Sequence, residues 1–401
     1  MTAIAAPRQA VIVAGGRGTR LRPLTDDRPK AMVEVAGKPF LDHLLEQLSE
    51  QGLKEVLLLL GYRAEAILDH VGTGRSWGLA VSTIVTDADD ETSSRMLAAR
   101  GHLDDHFLFL YSDNYWPLQV ERLWGDYERL HRPAIVTVYR NLDGYTRSNV
   151  RVADGVVAEY DPTRSRPGLS GVEIGYAILP RTVLDLVDTT DRPFEKVVYP
   201  RLVDAGHLAA HETDHRYYSI GNMERLPATE AFLSRRPMVI LDRDGVLNRR
   251  PPRAEYVRRP DDVEWMPGTI EALRLMAGAG YRFAIVSNQA GIARGVMSQD
   301  DLVAVERHMR SELEQAGVEV EQFYYCPHGW DDGCSCRKPK PGMLFQAQRD
   351  FHLDLSRTLF VGDDERDGQA ARAAGCRFAM VGDDRSLLDV ARELVSEAVV
   401  A

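Results

Sequence analysis

Two consecutive α/β domains, residues 1–234 and 237–401, are the fold class that this sequence predicts. Three observations support it. A chain of 401 residues is long for a single hydrophobic core. Short apolar, β-branched runs recur ("AVIVAGG", "FLFLYSDN", "MVILDRDG", "FAIVSNQAG", "LFVGDDERD"). Each breaks at its carboxyl end into glycine, serine or aspartate, as buried strands of an open parallel sheet do where ligands bind. Finally, an apolar helical pattern ends in Ser234-Arg235-Arg236-Pro237 and a fresh strand begins. Proline cannot continue a helix, which places the domain boundary near Arg236.

Composition narrows the class. Hydrophobic content of 44% and charged content of 27% are those of an ordinary globular protein. A formal charge of −11 argues against nonspecific binding to nucleic acid or membrane. No apolar run reaches the ~20 residues needed to span a bilayer. The start, "MTAIAAPRQAVIVAGG", has no basic segment and runs into a glycine loop rather than a cleavage site, unlike a secretory signal. Four cysteines are too few for a disulfide scaffold. The expectation is a reduced, cytoplasmic protein.

In chain order, Val11 to Val13 read as a buried strand that opens into Gly15, Gly16 and Gly18, with Arg17, Arg20, Arg22 and Lys30 close behind. Glycines after a strand let backbone N–H groups approach phosphate oxygens. "PFLDHLLEQLSEQG" has a helical apolar face and ends at Gly52; "EVLLLL" is a buried strand; "HFLFLYSDNYW" is another, followed by Asp113; "VRVADGVVAEY" is a hairpin turning on Asp154-Gly155.

The string "AGGRGTRLRPLTDDRPK" resembles the signature of sugar-1-phosphate nucleotidyltransferases. The resemblance implies a Rossmann-like domain in which the backbone around Gly15, Gly16 and Gly18 cradles a nucleoside triphosphate. It also implies that Arg20 and Lys30 draw charge from the phosphates and that Asp113 holds Mg²⁺. Three strings depart from the family pattern. "YYSIGNMERL" has Ser219 where a second metal aspartate is usual. "ETSSRMLAAR" replaces the usual Gly-Thr-Ala-Gly of the base pocket. "VVAEYDPTRS" lacks the lysine that meets the sugar phosphate, although "GVEIGYAIL" resembles the sugar-side strand. A non-catalytic, nucleotide-binding regulatory domain is the alternative that Ser219 keeps open.

In the second half, strand ends offer Asp242-x-Asp244, Ser287-Asn288 and Asp363 with Asp367, and Lys338 lies between them. Acid pair, hydroxyl, lysine and acid are the set needed for phosphoryl transfer through an aspartyl phosphate. This set resembles the haloacid-dehalogenase phosphatase superfamily. It implies Asp242 as nucleophile, Asp244 as general acid and base, Ser287, Asn288 and Lys338 around the phosphoryl group, and Mg²⁺ held by Asp242, Asp363 and the backbone carbonyl of Asp244. Asp367 is expected to orient that metal from behind.

"CPHGWDDGCSCRKPKPG" gathers Cys326, His328, Cys334 and Cys336, four soft or borderline ligands and the number that tetrahedral zinc requires. Four protein ligands leave no open position, so the metal is expected to be structural and to aim Arg337 and Lys338 at phosphate. Disulfides and plain buried thiols are the alternatives, both weak in a reduced compartment. "DRDGVLN", "SNQAGIARG", "YYCPHGW", "CSCRKPKPGM" and "VGDDERD" together resemble the D-glycero-D-manno-heptose 1,7-bisphosphate 7-phosphatases. Histidinol-phosphate phosphatases share the zinc loop and the acids. "RRPPRAEYVRRPDDVEWMPG" is too short for a cap module, so the domain is expected to be capless. Arg249, Arg250, Arg253, Arg258, Arg259 and, above all, Arg294 are candidates for a second phosphate. Asp364 stands where the heptose enzymes often carry lysine. The partners implied are sugar phosphates and a nucleoside triphosphate.

Overall fold

The computed structural model describes residues 6–188, 191–234, 237–252 and 255–400. The chain divides into two compact units, Met1–Leu233 and Ser234–Ala401. The expected join at Arg236 and the candidate Arg253 lie outside the described residues.

The first unit runs β1 (Gln9–Ala14), the short pair β2 (Glu34–Val35) and β3 (Lys38–Pro39), α1 (Phe40–Glu50), β4 (Glu55–Leu60), α2 (Ala64–Val71), β5 (Ala80–Val85), α3 (Thr92–Ala98) and β6 (His106–Tyr111). It continues with β7 (Asn114–Tyr115), α4 (Val120–Leu130), β8 (Ala134–Tyr139), the hairpin β9 (Val150–Ala153) and β10 (Val156–Tyr160), and β11 (Val172–Pro180). It closes with α5 (Phe194–Asp204), β12 (Leu208–Thr213), β13 (Tyr218–Ser219) and α6 (Leu226–Leu233). Nine strands form one sheet in the order β5-β4-β1-β6-β11-β8-β12-β10-β9. β1, β4, β5 and β6 are parallel neighbours, whereas β11 is antiparallel to β6 and β8. β1 and β8 are buried along their whole length, which explains their continuous apolar runs: both sheet faces are covered, so alternation disappears. Separate apolar clusters fill the two faces, Ile12, Leu44, Leu58 and Leu110 on one side, Val11, Leu57, Phe109 and Phe194 on the other.

The second unit is a five-stranded parallel sheet in the order β16-β15-β14-β17-β18. Its strands are β14 (Met238–Leu241), β15 (Arg282–Asn288), β16 (Val320–Cys326), β17 (Leu359–Gly362) and β18 (Arg377–Met380). The helices α7 (Thr269–Gly278), α8 (Gln299–Gln315), α9 (Gly342–Phe351), α10 (Glu365–Ala374) and α11 (Leu387–Val400) cross between and flank them. Among the described residues from 243 to 268 the only helix is one short turn, Pro260–Asp262, so the sheet edge stays uncapped. No helix among the described residues is long and apolar enough to cross a membrane.

Candidate active sites

In the second unit, the central strand β14 ends at Leu241 and its neighbours β15 and β17 end at Asn288 and Gly362. Asp242, Ser287 and Asp363 therefore meet where three parallel strands stop, the crevice that open α/β sheets use for ligands. Gly245 makes the approach possible. Its φ of +96° suits glycine, and a Cβ there would lie 1.6 Å from Asp363 Oδ2.

Lys338 is the hub. Its Nζ lies 2.8 Å from Asp242 Oδ1 and 2.7 Å from Asp367 Oδ1, and it donates to the Val286 carbonyl at 3.2 Å. The Lys338 backbone is fixed by a reciprocal pair with Asn288: its N–H donates to Asn288 Oδ1, and Asn288 Nδ2 donates to its carbonyl, both at 3.0 Å. One buried ammonium thus faces two buried carboxylates. Burial raises Asp242 to about 7, against the pull of Lys338. Burial alone would lower Lys338, but Asp242 and Asp367 more than offset it and hold the ammonium above its ordinary value. A single cation cannot neutralise both acids, so the excess negative charge retains a proton. Asp363 is pushed up to about 6 by burial, although Arg250 Nη2 lies 2.5 Å from it.

Asp244 lines the same cavity as Asp242 but has different partners. Arg243 grips its carboxylate with two bonds of 3.0 and 2.9 Å, Asn248 donates at 3.0 Å and Gln289 at 2.9 Å. Burial would raise this acid, but these donors, Arg243 first, hold it below the ordinary carboxylate range. Gln289 also donates to Ser287 Oγ at 2.9 Å, so one amide orients both groups. The sequence reading missed Gln289. Strand alternation could have found it, because Ser287 and Gln289 are two apart and share a face.

These residues open onto a cavity of about 740 Å³ lined also by Arg250, Arg337, Lys340, Arg366, Tyr256 and Trp330. Of the expected arginines, Arg250 and Arg337 line it. Arg249 instead pairs with Glu264, and Arg259 lies 3.9 Å from Asp262. The Arg258 backbone N–H donates to the Asp262 carboxylate at 3.0 Å. Arg294 stacks on the rings of Tyr256 and Trp330, 5.9 and 5.5 Å from their centroids. Asp364 is paired with Arg366 and Arg250.

Two groups of side chains suit metals. Carboxylate oxygens of Asp242, Asp363 and Asp367 lie within 4.8 Å of one another, and their surplus negative charge fits a hard divalent cation. Asp367, expected to orient the metal from behind, offers a carboxylate oxygen to this group and also pairs with Lys338. Cys326 Sγ is 3.5 Å from His328 Nδ1 and 3.6 Å from Cys334 Sγ, and Cys336 Sγ is 3.2 Å from His328 Nδ1. A zinc tetrahedron with bonds of about 2.3 Å to sulfur and 2.0 Å to nitrogen has edges of roughly 3.5–3.8 Å, so the four atoms fit one ion. Burial and the other two thiols push Cys336 up to about 12; holding three thiolates together needs a cation.

In the first unit, Asp113 follows β6 by two residues and its carboxylate meets Lys30 Nζ at 2.5 Å. β13 pairs with β7, which sets Ser219 opposite Asn114, and the Ile220 N–H donates to the Asp113 carbonyl at 2.9 Å. Ser219 therefore lies beside Asp113, where its string predicts, but its Oγ accepts the Gly221 N–H at 2.9 Å. The glycine loop turns at Gly18, φ +63°, whose carbonyl accepts from Thr25 Oγ1 at 2.9 Å. Gly16 is exposed, with open space where a Cβ would stand, and Arg20 is exposed as well.

Comparison with known proteins separates the two units. Residues 9–141 match the nucleotidyl transferase family model and residues 335–397 a HAD-hydrolase-like model. The D-glycero-beta-D-manno-heptose-1,7-bisphosphate 7-phosphatase of Pseudomonas aeruginosa is 44% identical over 146 residues, 36% of this chain and 81% of that protein. The enzyme of the same description from Rhodopseudomonas palustris is 38% identical over 162 residues, 38% of this chain and 88% of that protein. Among solved structures, a putative glucose-1-phosphate thymidylyltransferase from Bacillus anthracis aligns with a TM-score of 0.50 at 17% identity, covering 56% of this chain and 94% of that one. That likeness concerns the fold. Through its C-terminal unit the chain belongs to the D-glycero-β-D-manno-heptose-1,7-bisphosphate 7-phosphatase family, and its N-terminal unit is a nucleotidyl transferase domain.

Proposed function

We propose that the chain is a bifunctional enzyme of nucleotide-activated heptose synthesis. The C-terminal unit removes the 7-phosphate of D-glycero-D-manno-heptose 1,7-bisphosphate. The N-terminal unit transfers a nucleotidyl group from a nucleoside triphosphate to the resulting heptose 1-phosphate and releases pyrophosphate. The observation that carries the reading is buried Lys338, held between Asp242 and Asp367 in a cavity that Arg250, Arg337, Lys340 and Arg366 also line, in a chain whose other half is a nucleotidyl transferase domain. A phosphatase that leaves the 1-phosphate in place makes the kind of acceptor that such a transferase consumes.

In the phosphatase half, an Asp242 oxygen attacks phosphorus and the P–O bond to the sugar breaks. Asp244 in its protonated state, which its donors disfavour before substrate binds, gives its proton to the departing sugar oxygen, then takes one from the water that hydrolyses the aspartyl phosphate. Lys338 and Ser287 hold phosphoryl oxygens, and Arg337 and Arg294 serve the second phosphate. Mg²⁺ at Asp242, Asp363 and the Asp244 carbonyl would offset the repulsion between carboxylate and phosphate dianion. Cys326, His328, Cys334 and Cys336 would hold a structural zinc that fixes the loop bearing Arg337 and Lys338. In the transferase half, Lys30 and Arg20 neutralise phosphate charge, the loop of Gly15, Gly16 and Gly18 receives the triphosphate, and Asp113 would hold Mg²⁺ together with phosphate oxygens.

The test is to supply the heptose bisphosphate with each of ATP, CTP, GTP and UTP and to follow orthophosphate and pyrophosphate. Orthophosphate alone, with nucleotide bound but uncleaved, favours a second reading: a regulatory nucleotide-binding domain, which the engaged hydroxyl of Ser219 supports. Faster release from histidinol phosphate than from the bisphosphate overturns the assignment of substrate.

A further inference from the structure

Arg95 is an unexpected residue to find beneath a glycine loop. It lies on α3, in the string that replaces the usual base-pocket motif, and is 2% exposed. Its guanidinium sits where three neighbouring parallel strands β1, β4 and β5 end. Nη1 donates to the Leu60 carbonyl at 2.7 Å and to Thr86 Oγ1 at 2.6 Å. Nη2 donates to the carbonyls of Asp87 and Asp90, both at 2.9 Å, and reaches those of Gly15 and Ala88 at 3.4 Å. The Leu60, Gly15 and Asp87 carbonyls already accept the N–H groups of Thr86, Tyr62 and Asp90. Arg95 adds a second donor that ties the strand ends to the 87–90 turn.

The contact also explains two glycines. A Cβ at Gly15 would lie 2.3 Å from Arg95 Cζ, and one at Gly61 would lie 2.3 Å from Arg95 Nη1. The planar guanidinium lies flat against both backbones. The missing side chain at Gly15 is therefore demanded by Arg95, whereas the open side at Gly16 is left for a ligand. Above the buried cation, Arg17 closes the same gap from outside, pairing with Asp89 at 2.7 Å. The glycine loop and the turn at 87–90 are thus tied together, beneath by Arg95 and at the surface by Arg17.

We propose that Arg95 is a positioning residue of the nucleotide site: it sets the spacing between the glycine loop and the 87–90 turn, and so the shape of the cleft that receives a nucleoside triphosphate. The proposal rests on the nucleotide-binding reading of this unit. A lysine cannot replace it, because a tetrahedral ammonium with three donors does not span acceptors from two facing segments as a planar fork does.

The experiment uses the full chain with Arg95→Met, Arg95→Lys and Arg95→Ala. Two readouts are taken: equilibrium binding of ATP, CTP, GTP and UTP with Mg²⁺, and amide hydrogen exchange over residues 14–18 and 86–91. Binding of the preferred nucleotide is expected to weaken at least about tenfold in Arg95→Met and several-fold in Arg95→Lys. Methylguanidinium added to Arg95→Ala is expected to recover part of the affinity, which general loss of fold does not allow. Exchange should rise in both segments while the amides of β8 and β11 keep their protection. Affinity within about twofold of wild type in Arg95→Met, or unchanged exchange in both segments, overturns the proposal. If wild type binds none of the four nucleotides, the nucleotide reading falls, and exchange alone then decides whether Arg95 positions the loops. Should Arg95→Met not fold, Arg95→Lys carries both measurements.

Discussion

The two candidate sites differ most in their balance of charge. Both are built on loops after parallel strands. The phosphatase site sets Asp242, Asp363 and Asp367 around a single buried ammonium, Lys338, with Arg250 reaching Asp363 from the exposed side. The transferase site sets one carboxylate, Asp113, against one ammonium, Lys30, with a neutral and already bonded Ser219 beside them. A site with surplus buried carboxylate calls for a cation before substrate arrives. A site whose one acid is already paired acquires that demand with the triphosphate, which brings its own charge and its own oxygen ligands.

The sharpest way to break this comparison is Asp242→Asn. Phosphate release is expected to fall at least about 10⁴-fold, as when a covalent nucleophile is removed, while nucleotidyl transfer to heptose 1-phosphate is unchanged. Loss of both activities in a folded variant means that the sites are not independent.

Asp113→Asn comes next. Pyrophosphate release should fall about 10²- to 10³-fold, the loss expected when charge stabilisation at the reacting phosphorus is removed, with phosphatase activity intact. The same titration sharpens the charge argument. Wild type should need high Mg²⁺ for half-maximal transfer, and Ser219→Asp should lower that concentration. An unchanged requirement in Ser219→Asp would show that Ser219 does not limit the metal.

Cys334→Ser tests the loop that delivers Lys338. Metal analysis should find about one zinc per chain in wild type and little in the variant. Phosphatase activity should drop roughly 10- to 100-fold, as when support around a site loosens. Wild type that is metal-free and fully active contradicts the clamp.

The smallest effect concerns Glu173, a buried acid on β11 that accepts the Gly175 N–H at 2.6 Å. Burial raises it from the ordinary carboxylate value to about 7. The folded state then holds a proton that the unfolded state has released, so its contribution is complete below the unfolded value and is lost as pH rises toward 7. Glu173→Gln should stabilise the N-terminal unit by about 2 kcal/mol at pH 8 and leave it unchanged at pH 4, read as the melting temperature at the two values. Equal shifts at both pH values mean that the proton is not the cause.

Much of this was legible in the residues because it is local. β-branched runs specify buried strands, and an aspartate or serine just after a strand is placed at the ligand edge by the chain itself. Asp242, Ser287 and Asp363 needed nothing further, and four ligands within eleven residues of one loop could hardly avoid meeting. Gln289 was within reach too, through the two-residue alternation that pairs it with Ser287.

Other features depended on which distant segments share a cavity. Among Arg249, Arg250, Arg258 and Arg259 the sequence offers no distinction; Arg250 alone of them lines the cavity, because the path of the loop after β14 turns it toward Asp363. The string around Arg95 looked only like a lost motif. Eighty residues separate it from Gly15 in the chain, and nothing in either stretch announces the other. Periodicity and strand-end chemistry, set by neighbours along the backbone, determined the two α/β units and the aspartates at the strand ends. Which cation pairs which acid, and which guanidinium supports the glycine loop, was decided only when the sheet ordered its strands, because those pairings depend on side chains meeting across space at hydrogen-bond distance.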